Sequence, residues 1–198
     1  MTKKSKRIEE QLLEVAIELA RKGEGALFVI GEKINYEKLI KQRLHKFSVF
    51  DKGARKLLVS LATIDGAVIL NTKGDVIDYG AMIRRVKAFP GYGTRHAAAV
   101  SASKNGNTSI LVSEEERKVK IFRGGKFIMQ LDALQKNIEK QIPKVTTVLE
   151  SVGVGFIGTI GASVLIPALG ITLLPGVIIF GASYFAIREL FSLAKKKK

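Results

Sequence analysis

Three polar clusters in this chain combine the side chains that phosphate chemistry needs: Asp65-Gly66-Ala67, Gly93-Thr94-Arg95-His96 and Ser113-Glu114-Glu115. Asp65 is followed by two residues too small to block the close approach of a ligand backbone or sugar. Gly93, then Thr-Arg-His and a run of alanines, reads as a loop turning into a helix, since Gly permits the tight turn and Ala is the best helix former. Such a helix start offers free N–H groups and a positive dipole end, and with Arg95 and His96 beside it an anion fits there, most economically a phosphate. Glu114 and Glu115 close an apolar run, and carboxylates near phosphates point to a divalent cation.

These clusters have to be carried by the apolar runs they adjoin. Ile8, Leu12, Val15 and Leu19 recur at helical spacing, with Glu9, Glu10, Glu14 and Glu18 on the other faces, which predicts a helix from about Ser5 to Arg21 ended by Gly23. Ala26 to Ile30 reads as a short buried strand, Tyr36 to Lys46 as a helix capped by Asn35, and a third helix is expected from Asp51 as its cap to about Thr63. Strands then dominate. Ala67 to Asn71 and Val76 to Ala81 make a hairpin, and the Gly93 helix is followed by Ser109 to Val112, Lys118 to Phe122 and Lys126 to Met129. A last helix is expected from Asp132 to roughly Glu150. The pattern predicts an α/β fold, a mixed central sheet flanked by helices, over residues 1–148.

Residues 149–198 differ in composition, for no charge occurs between Glu150 and Arg188. One continuous helix there would reach roughly 55 Å at about 1.5 Å per residue, against about 30 Å of hydrocarbon. Pro167, Gly170, Pro175 and Gly176 interrupt the run, so two short spans, Ser151 to Ile166 and Pro175 to Phe191, fit better. The expectation is a C-terminal hydrophobic helical hairpin, transmembrane or membrane-inserted, with a Lys-rich tail. Basic flanks at both ends place the larger domain and the C-terminus on the cytoplasmic side of the cell membrane. A hairpin buried in a dimer core also explains an uncharged run, but the length favours the bilayer.

Composition narrows the function. The net charge of +15 is scattered, with no basic stripe interleaved with aromatics, so no specific nucleic-acid partner is expected; ATP and an anionic membrane surface suit it equally. With no cysteine and only two histidines, disulfides, thiolate chemistry and a structural zinc site are ruled out. No secretory leader is read at the start, where basic residues give way to alternating charge.

Taken singly, the clusters have plainer explanations: Asp65 as a turn residue, Arg95 as a surface arginine, His96 as a helix-start histidine, Ser103 as a helix-surface hydroxyl and Glu116 as a solvated turn acid. Their order is far more specific. DGA, then GTRH before alanines, then a strand ending VSEE, resembles the catalytic domain of the diadenylate cyclases, and the likeness extends from about Ile8 to Leu131. The resemblance implies condensation of two ATP into cyclic di-AMP and two pyrophosphates, in a homo-oligomer whose active sites face one another. It implies Asp65, Arg95 and His96 as catalytic residues, and Gly66, Ala67, Gly93, Thr94, Ser103 and Ser113 as nucleotide-binding ones. It further implies a divalent cation, Mn²⁺ or Mg²⁺, held by Asp65 and Glu115. Many members of the family have Arg directly after the His, where this chain has Ala97, and that departure motivates the alternative of a non-catalytic nucleotide-binding membrane adaptor or sensor.

Overall fold

The computed structural model describes residues 3–42, 45–84, 86, 93–155 and 177–179. Helix α1, Lys3–Lys22, ends at Gly23, whose φ of 77° is the left-handed stop that glycine adopts freely. Its apolar stripe, Ile8, Leu12, Val15, Ala16 and Leu19, is buried. Strand β1, Ala26–Ile30, follows, then the short strands β2, Tyr36–Lys38, and β3, Phe47–Ser48, and helix α2, Ala54–Ala62. Strands β4, Ala67–Leu70, and β5, Asp75–Ile83, precede helix α3, Thr94–Ala102. Strands β6, Thr108–Ser113, β7, Lys118–Arg123, and β8, Lys126–Asp132, then run consecutively. A 3₁₀ turn, Ile138–Gln141, leads into helix α4, Ile142–Gly155, and strand β9 is Val177–Ile179.

The strands form one mixed sheet in the order β2-β5-β4-β1-β6-β7-β8-β9, with β3 also on β5. β1 and β4 are parallel, in register Phe28 with Val68, and the other pairs are antiparallel. The expected α/β class, a mixed sheet flanked by helices, is therefore the observed one. Phe28, Val68, Leu70, Ile110 and Ile121 join the side chains of α1, α2 and α4 in a large core. The alternate residues Leu27, Val29, Ala67, Ile69, Leu111 and Phe122 pack on the opposite face with Ala99 and Ala102 of α3.

Several expected elements are corrected. The helix expected over Tyr36 to Lys46 is instead β2, whose Tyr36 and Glu37 pair with Ile83 and Met82 of β5. The ladder on β5 satisfies this backbone, and the extended chain packs Ile40 against the core while leaving Leu39 at 44% exposure. Asp51 does not cap α2, which starts after Gly53; its carboxylate instead accepts the Ser48 N–H at 2.7 Å. Asp132 ends β8 rather than starting a helix, and its carboxylate accepts the Leu134 N–H at 3.0 Å in a local turn.

The hydrophobic hairpin is touched at two points only. α4 continues to Gly155, overlapping the start of the first expected span. Within the second, Val177–Ile179 is a strand rather than a helix, paired antiparallel with β8 through Leu131 and Val177, which β8 can accept because its outer edge is open. The rest of both spans lies outside the described residues. Among the described residues, no helix is long and apolar enough to cross a membrane.

Candidate active site

Sheet register gathers the clusters at one end of the sheet. β1 and β4 run parallel from Ala26 and Ala67, β6 runs the other way and pairs Val112 with Ala26, and Ser113 is opposite Lys118 at the start of β7. Asp65-Gly66, Gly25 and Ser113 to Glu116 consequently all emerge at that end. Arg95, in the first turn of α3, reaches the same place and donates to Glu114 at 3.0 Å.

Asp65 is exposed, and its Oδ1 accepts the Gly66 N–H at 3.0 Å. Gly66 has a φ of 102°, and a Cβ there would come within 2.7 Å of the Ala81 nitrogen and the Gly80 carbonyl carbon. Glycine is required because two backbones touch, and this contact fixes where Asp65 leaves the strand. Ala67 beside it is buried, on the face that α3 covers. Gly25, just before β1, is overlain by the pair of Arg95 and Glu114: a Cβ there would overlap the Arg95 guanidinium and lie 2.7 Å from Glu114 Oε2, so a side chain at this position would displace the ion pair as it stands.

Gly93 is extended and contributes no side-chain cap, while its carbonyl accepts the His96 and Ala97 N–H groups at 3.1 and 3.3 Å. The earliest N–H groups of α3 are thus turned toward solvent or an anion, beside the exposed Thr94 and Arg95. His96 is half-buried. Its Nε2 is 2.9 Å from the ammonium of Lys120, and its ring stands edge-on to Phe122 with centroids 6.4 Å apart. Burial, then the charge of Lys120, hold the imidazole below its usual pKa. The Lys120 side chain is 7% exposed and ion-paired with Glu116. Burial pushes the Glu116 carboxyl up, but hydrogen bonds and charge from Lys120 and Lys118 outweigh it and leave the group below the usual carboxylate range.

Not every expected residue joins this group. Ser113 is half-buried at the right end and its hydroxyl accepts the Glu116 N–H at 3.4 Å. Ser103 lies at the other end of α3, about 13 Å along the axis from Thr94 at about 1.5 Å per residue. It is fully buried, donating to the Val100 carbonyl at 3.0 Å and accepting the Gly125 N–H at 3.2 Å, so it ties the helix end to the turn between β7 and β8. Ala97 is 3% exposed, and an arginine there would require its neighbours to move. Lys120 was missed, and Glu116, expected as a solvated turn acid, is its ion-pair partner. The signal for Lys120 lay in the alternation of KVKIF, which sends Val119 and Ile121 into the α1 core and Lys120 and Phe122 to the face of α3.

Among the described residues, no three His, Asp or Glu side chains converge as a metal site. Asp65, an exposed hard-oxygen donor, fits a Mg²⁺ or Mn²⁺ that takes its other ligands from nucleotide oxygens and water, with Glu115 also exposed at this end.

A family model described as DAC, DisA bacterial checkpoint controller nucleotide-binding, matches residues 14–127. A protein named diadenylate cyclase from Methanocaldococcus jannaschii is 31% identical over 147 residues, 67% of this chain and 48% of that one. Another of that name from Haloferax volcanii is 29% identical over 139 residues, 61% of this chain and 51% of that one. The chain thus spans about half the length of the curated relatives it matches. A crystal structure of a double mutant of DacA from Staphylococcus aureus has a similar fold, with a TM-score of 0.50 at 19% identity, covering 78% of this chain and 100% of that one.

Proposed function

Because the chain belongs to the DAC family of DisA bacterial checkpoint controller nucleotide-binding domains, we propose that it is a diadenylate cyclase, condensing two ATP into cyclic di-AMP. The observation that carries this reading is the meeting of Asp65, Arg95 and the open start of α3 at one sheet end, all within the matched residues. In each half-reaction the 3′-oxygen of one ATP attacks the α-phosphorus of the other, the bond to the bridging oxygen breaks, and pyrophosphate leaves. Two protomers face each other, each holding one ATP. Asp65 accepts the 3′-hydroxyl proton, and the close packing of Gly66 on Gly80 and Ala81 sets where that carboxylate leaves the sheet. Arg95 exchanges Glu114 for the triphosphate, beside the N–H groups of Gly93 and Thr94 and the ring of His96. A divalent ion on Asp65 and Glu115 would neutralise phosphate charge. Incubating the purified protein with ATP and Mn²⁺ should yield cyclic di-AMP by chromatography; its absence, with ATP still bound, would leave the nucleotide sensor as the function, a reading that the buried Ala97 favours.

The uncharged stretch from Ser151 to Ile187 supports a membrane tether within residues 149–198, outside the strand Val177–Ile179, with residues 1–148 as the catalytic domain and both flanks cytoplasmic. A cysteine at Lys198 should resist a membrane-impermeant thiol reagent added outside intact cells; labelling there would defeat the hairpin. A tether also concentrates protomers, so a detergent-dispersed sample should lose specific activity on dilution.

A further inference from the structure

Lys120 is the one lysine among the described residues with a buried side chain, and its placement follows from the sheet. It is opposite Leu111 in β6, so strand alternation aims it at the face covered by α3, under the helix's first turn. It is ion-paired with Glu116, and an ammonium has three donors and no acceptor. At 2.9 Å from it, Nε2 of His96 must therefore be the acceptor. The ring plane is held from a second side by Phe122, edge-on at 89° and two residues beyond Lys120 on the same strand.

We propose that Lys120 is a positioning residue of the nucleotide site: it fixes His96 as the neutral tautomer with its proton on Nδ1, so that His96 acts as an oriented hydrogen-bond donor and not as a cation. The lowered imidazole pKa, from burial and from Lys120, agrees with this. Charge on the triphosphate is then met by Arg95, and His96 supplies a hydrogen bond that proton transfer does not remove. The catalytic consequence rests on the diadenylate cyclase reading, whereas the tautomer rests on side-chain geometry alone.

The test is nitrogen NMR of the full chain in lipid nanodiscs, labelled with ¹⁵N-histidine. Only two histidines are present, so His45→Gln assigns the spectrum. At neutral pH, Nδ1 of His96 should have the shift of a protonated ring nitrogen and Nε2 that of an unprotonated one. A protonated Nε2 overturns the proposal. Lys120→Met should release the ring to the other tautomer or to the imidazolium, and Lys120→Arg should preserve Nδ1–H; a Met variant with an unchanged His96 spectrum also overturns it. Should Lys120→Met not fold, the wild-type and Lys120→Arg spectra decide. In turnover, Lys120→Met should lower kcat by on the order of a hundredfold, the scale of one oriented donor, with KM for ATP changed far less. The Nδ1–H tautomer in a protein that makes no cyclic di-AMP would sink the cyclase reading alone; cyclic di-AMP from a protein with a protonated Nε2 would sink this inference alone.

Discussion

The two faces of the sheet are built from different materials. On one, α1, α2 and α4 cover Phe28, Leu70, Ile110 and Ile121 with Leu12, Leu13 and Leu58, and the buried charge is the pair Glu9 with Arg123. On the other, α3 meets the sheet through Ala67, Ala81, Ala99 and Ala102, and Thr94, Arg95 and His96 stand together at its open N-terminal end. Large aliphatics bury the most area and resist deformation, whereas alanines let a helix lie close against the strands. One face holds the fold and the other holds the chemistry, so each should be breakable with little effect on the other.

The largest separation is expected at Asp65. Asp65→Asn should reduce cyclic di-AMP formation by about 10²–10⁴-fold, the range for loss of a positioned general base, with an unchanged melting temperature. Turnover near normal would show that another group takes the proton. Glu9→Ala should do the reverse, since it strands the Arg123 guanidinium and should cost about 3–5 kcal/mol in urea unfolding while activity per folded molecule persists. Burial holds the Glu9 carboxyl above its usual pKa despite Arg123, so desolvation is a heavy burden on this pair. Glu9→Leu combined with Arg123→Met should accordingly recover most of the loss.

Smaller effects sharpen the contrast at the open end. Arg95→Ala should raise KM for ATP about tenfold to a hundredfold, as expected for a hydrogen bond to a charged group. Glu114→Ala should tighten ATP binding by no more than about fivefold, because the pair it breaks is half-exposed and worth at most about 1 kcal/mol. The smallest effect concerns pH. His96 is held below its ordinary pKa, so its contribution to stability is complete above about pH 6.5 and is lost as pH falls, when the unfolded chain binds the proton first. Melting temperatures from pH 8 to 5 should fall less steeply for His96→Gln than for wild type.

The elements with a single clear period were legible from the residues alone. α1 and β1 were placed within two residues, because each buries a continuous apolar stripe. Tyr36 to Lys46 was misread because strand pairing with β5, a contact made across more than forty residues, overrides local propensity. Asp51 and Asp132 look the same as helix caps or as turn formers, and only the neighbouring N–H groups decide. At the site, Gly66, Arg95 and His96 stood out by type and order, but Lys120 is one of many lysines in a basic chain. Its partner His96 is 24 residues away, and the register of β6 and β7 is what brings them together.

The contacts between α1 and α4 also set the order in which this domain can be completed during synthesis. Thr146 donates to Glu10 at 3.0 Å across 136 residues, and Arg123 joins Glu9 of α1 to the Leu149 carbonyl of α4 at 2.6 Å. α1 is translated well before its partner helix α4. At about 5–20 residues per second, its apolar stripe waits on the order of ten seconds for that cover. The nascent chain is therefore most vulnerable to association and to chaperone capture through its first helix, and that vulnerability ends only when α4 has cleared the ribosome.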